Sequence, residues 1–211
     1  MYDEMKDFQL KYWNEYLFYE KEFVNINDYI HLDKKNFNTY SFKLVELLIG
    51  ICSAIDRMFR KYTNTNEQYC SIGNYKEIIM NDNQDFYKIE VNLINNDEIV
   101  LCPFDNWEPG KEKSSLKFWE AYTNVKHNKN DGIINATFES VMNSLSALYI
   151  MNVKYMDKIY NSNDNIYKNY PENDSVLFYI KGHEKRIRND LLNTKINIIK
   201  DDNETVFLEN P

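Results

Sequence analysis

Glycine and proline are both scarce in this chain of 211 residues, at 5 and 4 copies. So few glycines leave few positions for positive φ and exclude collagen-like, Gly-rich-linker and turn-dense repetitive β architectures. They also exclude a Gly-rich phosphate loop and a dinucleotide fingerprint, and neither G-x-S-x-G nor H-E-x-x-H occurs. Histidine is equally thin. His31, His127 and His183 lie far apart, none at ligand spacing from a cysteine, so no metal and no cofactor is expected. Cys52, Cys70 and Cys102 contain no C-x-x-C pair. An odd number at wide spacing fits reduced intracellular thiols better than a disulfide framework. Long apolar runs are missing too. The most apolar window, Leu44 to Ile55, includes Glu46 and is too short to span a bilayer. The first residues carry acids and no apolar h-region, so no secretory signal is expected. The expectation is a cytoplasmic protein with no membrane partner.

What is present is an ordinary globular balance, 43% hydrophobic and 27% charged residues, enough for one large domain with an appendage. Asparagine reaches 30 copies and lysine outnumbers arginine 21 to 4, which reads as coding bias before chemistry. The net charge of −8 excludes a protein broadly coated in nucleic acid. That charge is uneven. Lys111 to Lys129 carries a net +3 and Lys181 to Lys200 a net +4, while the last eleven residues carry −4. A small phosphate-facing cleft is compatible with this pattern, as is a scatter of charges that never becomes continuous.

Hydrophobic periodicity organises the chain. Phe8, Tyr12, Tyr16 and Tyr19, joined by Trp13 and Phe23, give residues 4–24 an aromatic helical stripe, and residues 25–39 read as a loop. Residues 40–62 are the strongest predicted helix, apolar almost all round and therefore central. One line of Glu46, Gly50, Ser53 and Arg57 interrupts it, with Asp56 and Arg60 as an i,i+4 pair alongside. This line is either a solvated strip with an internal ion pair or the lining of a small-ligand pocket.

Residues 63–74 read as a loop and 75–87 as a weaker helix. Alternation over 88–94, a turn at Asn95-Asn96-Asp97 and a return over 98–101 predict a hairpin. Residues 114–128 read as a short helix with a Ser N-cap, and 133–160 as a long one. A polar linker covers 161–173. Residues 175–180, 195–200 and 205–208 carry strand patterns. The expected fold class is α+β, mostly α. A helical bundle over residues 1–160 would hold an inserted hairpin at 88–101, and a β-rich appendage over 161–211 would carry a second hairpin and pack on the bundle.

The short helix carries the most chemistry. Phe118, Tyr122 and Val125 share its inward face, with Trp119 beside them, and Glu120, Asn124 and His127 share a polar face flanked by Lys126. Carbonyls of the last turn favour positive charge at His127. The pair Lys126 and His127 then either faces phosphate or simply caps the helix.

The order Pro103-Phe104-x-x-Trp107, then Trp119-x-Ala121-Tyr122-x-Asn124-x-Lys126-His127, then Ala136, Asn143 and Ala147-Leu148 resembles an uncharacterised bacterial family. That family looks like a divergent branch of the HEPN superfamily, helical bundles of toxin–antitoxin, phage-defence and RNA-processing systems. The resemblance spans about residues 40–160. It implies a homodimer with a composite cleft, RNA as substrate or ligand, and a cognate antitoxin or other protein partner.

For metal-independent RNA cleavage it implies His127 as general acid or base, Lys126 stabilising phosphorane charge and Asn124 orienting the phosphate. Lys117, Lys129, Arg57 and Arg60 are candidate nucleic-acid contacts, and Tyr122, Glu46 and Asp56 candidate supporting residues. Active members of the superfamily place an Arg ahead of the His with four to six residues between the two. Here those positions hold Glu120, Ala121 and Tyr122. The alternative is a catalytically inactive interaction or dimerisation module.

Overall fold

The longest apolar stretch of the chain forms a helix because both its ends are capped by side chain or backbone. The computed structural model describes residues 2–65, 71–107, 116–127, 132–161 and 175–181. Helix α3 (Phe42–Thr63) opens where the Ser41 side chain accepts from the Leu44 amide. It closes at Asn64, whose left-handed backbone turns its N–H back onto the Arg60 and Lys61 carbonyls. Its main partner is α6 (Phe138–Asn161). Around this pair stand α1 (Tyr2–Phe8), α2 (Asn14–Ile26), α4 (Ile72–Asp82) and α5 (Lys117–His127). The fold is α+β and mostly α, as the sequence predicts.

Helices α1 and α2 are one continuous rod joined by a π-helical turn, Gln9–Trp13. The aromatic stripe explains the turn. Phe8 and Trp13 are five residues apart and both buried. An α-helix would rotate them apart, whereas i→i+5 geometry keeps both facing the core.

Helix α6 is the buried centre, a role the periodicity assigns to α3. Ser144 to Val153 are buried without a break, whereas Phe42 of α3 is 79% exposed. The polar members of the α6 run bond to their own helix. Ser144 Oγ donates to the Val141 carbonyl (2.7 Å), Ser146 Oγ to Asn143 (2.9 Å) and Asn152 Nδ2 to Leu148 (2.9 Å). Helix α6 also starts later than expected, at Phe138. Thr137 Oγ1 caps the Ser140 amide, and the Phe37 and Thr39 carbonyls take the Glu139 and Phe138 amides. Conversely, α4 starts three residues early because Ser71 and Asn74 form a capping box.

The predicted hairpin exists in shorter form. β1 (Val91–Leu93) pairs antiparallel with β2 (Asn96–Leu101). The chain reverses at Ile94 and Asn95, before the expected Asn95-Asn96-Asp97 turn, and a bulge between Asn92 and Leu93 absorbs the mismatch. A third strand, β3 (Phe178–Tyr179), pairs with the other edge of β1, giving the order β2-β1-β3. The described part of the C-terminal segment therefore extends the first hairpin. The expected strands at 195–200 and 205–208, and the linker before residue 175, lie outside the described residues.

Glu20 anchors β3 to the bundle. It is only 2% exposed. Its carboxylate accepts from the Tyr16 hydroxyl (2.6 Å), the Ser175 hydroxyl, and the amides of Val176 (3.2 Å) and Leu177 (3.1 Å). Burial, with the Glu20 charge adding to it, pushes the Tyr16 phenol well above its ordinary range, so Tyr16 stays a donor. Glu20→Ala leaves several buried donors unmatched and is expected to cost about 1–3 kcal/mol for each donor that finds no other partner, against about 1 kcal/mol in all for Ser175→Ala. Urea unfolding of both variants measures the difference.

Candidate functional site

Helix α5 is fixed by an aromatic cluster centred on Phe59 of α3. The Phe59 ring lies 5.2 Å from Tyr75, 5.5 Å from Trp107, 6.3 Å from Trp119 and 6.4 Å from Phe104. Phe118 meets Phe104 edge-on at 6.3 Å. The motif residues Phe104, Trp107, Ala121, Ala136, Ala147 and Leu148 are core residues, as is Phe118. The Trp107 Nε1 has no acceptor among the described residues, consistent with a ring held by packing alone.

Packing orients α5. Phe118, Ala121 and Val125 are buried, Trp119 and Tyr122 half-buried, and Lys117, Glu120, Thr123, Asn124, Lys126 and His127 exposed. The expected inward face holds for Phe118 and Val125, with Ala121 taking the central place and Tyr122 at the edge. The expected Ser N-cap and Lys129 lie outside the described residues. Gly132 packs its backbone against Asn124 and Val125, where a Cβ would collide with the α5 backbone.

Among the candidate catalytic groups, Asn124 Nδ2 reaches Asn135 Oδ1 at a long 3.5 Å. Lys126 lies over the Tyr122 ring, its Nζ 5.5 Å from the centroid and 3.4 Å from the hydroxyl. No described side chain orients His127. The three groups stand together on one exposed helical turn, able to meet a ligand from outside but without a relay partner to hold a proton-transfer geometry.

The other candidates stand elsewhere. Lys117 borders a hollow of about 280 Å³ between β2, α5 and α6, with Lys34, Glu139 and Asn143. Arg57 pairs with Glu15 of α2, and Arg60 with Asp56 at 3.0 Å. Asp56 also accepts from Tyr75, at 3.3 Å. Glu46 is exposed. The polar line on α3 is a contact with α2, because the Tyr19 ring covers Gly50 where a Cβ would collide. Its ion pair runs to Glu15 across the two helices.

Arg57 and Arg60 instead open into a cleft of about 720 Å³ at the end of α3, together with Tyr12, Lys61, Tyr155 and Lys158. Sequence reasoning did not gather those four. The available signal was three cations, Arg57, Arg60 and Lys61, within five residues at the end of a helix. Among the described residues no three His, Cys, Asp or Glu side chains cluster as a metal site, and no helix is long and apolar enough to cross a membrane.

The two faces of α5 are expected to separate in stability measurements. Phe118→Ala costs about 3–5 kcal/mol, while Lys126→Ala and His127→Ala each cost about 1 kcal/mol or less, the scale of helix-end charge. Thermal and urea unfolding of the three variants check this.

No family model matches the chain, and no curated protein and no solved structure matches it.

Proposed function

We propose that this chain is a HEPN-like, RNA-directed protein whose working surface is the outward face of α5. The observation that carries this reading is the division of α5: its apolar half is locked under the Phe59 cluster, while Lys117, Asn124, Lys126 and His127 are all left to solvent. A helix secured on one side, with amide, ammonium and imidazole on the other, is suited to phosphate and ribose contacts.

In a cleaving form, the RNA 2′-oxygen attacks the adjacent phosphorus and the 5′-oxygen leaves, giving a 2′,3′-cyclic phosphate and a 5′-hydroxyl. His127 would take or give the proton, Lys126 would balance the charge gained by the phosphorane oxygens, and Asn124 would orient them. The same reading brings two copies together across a composite cleft, with a bacterial cytoplasmic setting and a cognate antitoxin or other protein as partner.

A second reading, RNA binding or protein interaction without cleavage, is favoured by one specific observation. Tyr122 stands where the superfamily pattern permits Arg, and its ring packs against Trp119 at 5.2 Å while receiving Lys126.

Incubating the full chain with a structured RNA in chelator distinguishes the two. The cleaving form yields 2′,3′-cyclic ends that disappear in His127→Ala, and cutting that persists in that variant rules out His127. The binding form leaves the RNA intact. Lys126→Ala then lowers the slope of log affinity against log salt by about 0.7. A slope unchanged in both Lys126→Ala and Lys117→Ala would remove α5 from the interface.

A further inference from the structure

The cleft at the end of α3 has the composition of an anion site. Arg57, Arg60 and Lys61 reach it from α3 and Lys158 from α6. Its volume of about 720 Å³ is in the range of small-molecule sites. Glu4 is the single carboxylate among its described lining residues, and that carboxylate already accepts from the Tyr155 hydroxyl at 3.2 Å. Four cations thus face one acid in a chain whose net charge is −8.

The aromatic rings of the cleft are supports for these cations. Lys61 Nζ sits 5.5 Å from the Tyr155 ring centroid and Lys158 Nζ 4.6 Å from that of Tyr62. Tyr12, carried into the wall by the π-helical turn, stacks on Phe8 at 6.2 Å. With these ring faces engaged, a ligand that brings negative oxygen fits the cleft better than one that must stack. At the α3 carbonyl end the Asn64 and Thr65 amides return to the Arg60 and Lys61 carbonyls, and Lys158 Nζ donates to the Tyr62 carbonyl at 3.2 Å.

Acids beyond the lining hold three of the four: Glu15 holds Arg57, Asp56 holds Arg60, and Asp82 holds Lys158 at 3.1 Å. Such part-exposed pairs are weak, and the Arg57 guanidinium has donors to spare after one carboxylate. Lys61 has no acidic partner among the described residues.

We propose that this cleft binds an oligophosphate group, two or more linked phosphates carried as a free inorganic chain or at the end of a larger molecule. Cations supplied by two helices in a space this large suit a chain of phosphates better than a single one. The site shares no residue with the outward face of α5, so either reading can fail alone.

Calorimetric titration of the full chain with pyrophosphate, inorganic triphosphate, orthophosphate and ADP tests it. Pyrophosphate and triphosphate are expected to bind at least about tenfold tighter than orthophosphate. Lys61→Gln should weaken them by about tenfold, the scale of one charge-assisted contact, with an unchanged melting curve. His127→Ala should leave binding as it is. ADP tighter than pyrophosphate identifies a larger carrier, and ADP equal or weaker identifies the free chain. The proposal is overturned if pyrophosphate binds no better than orthophosphate, or if Lys61→Gln and Lys158→Gln, both folded, bind like the parent.

Discussion

Much of this molecule depends on the stack of rings around Phe59. A helix as short as α5 is marginal on its own, and its mean composition is nearly neutral between core and water. What fixes its rotation is that Trp119 and Phe118 enter an aromatic cluster already held by Phe59, Phe104 and Trp107. Tyr75 brings α4 to the same ring, and Phe86 meets both Phe104 (4.9 Å) and Trp107 (6.5 Å), tying in the segment before the sheet. Three separate stretches of chain converge on Phe59, and a fourth joins them through Phe104 and Trp107. The polar face of α5 is outward because its other face has only this one place to go.

A second constraint acts on α2. Glu20 is a buried carboxylate whose partners among the described residues are neutral donors. Hydroxyls and backbone amides satisfy it, and two of the amides belong to the stretch leading into β3. That arrangement satisfies the carboxylate oxygens with hydrogen bonds, and it couples the position of β3 to α2. Glu20 is invisible to periodicity, since it sits on a helix among exposed acids and lysines and only a contact 155 residues away explains it.

The sequence carried the helices well and the tertiary placements poorly. Apolar spacing located α3, α5 and the body of α6, because each has a face that must be dry. It misplaced the starts of α4 and α6, where caps at Ser71 and Thr137 outweigh the apolar pattern. The burial of Ser144, Ser146 and Asn152 does not show in it, because bonding to a residue's own helix leaves no trace in a hydropathy profile. It could not join β3 to β1, a long-range pairing. The candidate site divided in the same way. Asn124 and His127 follow from helical geometry alone and share an exposed face, with Lys126 flanking it. Arg57 and Arg60 belong to a different place, a cleft whose walls come from the N-terminal rod, α3 and α6. The resemblance motif was legible as a string of residues, but most of those residues hold the core together, so the motif speaks to fold more than to chemistry.

The central claim is that α5 is the face this protein turns toward RNA. Hydrogen exchange of the full chain, with and without a structured RNA at saturating concentration, tests it most directly. The account predicts slowed exchange over residues 117–127, with residues 57–65 and 155–159 around the cleft unchanged. Slowed exchange confined to the cleft, or none over α5 while RNA is bound, would contradict it.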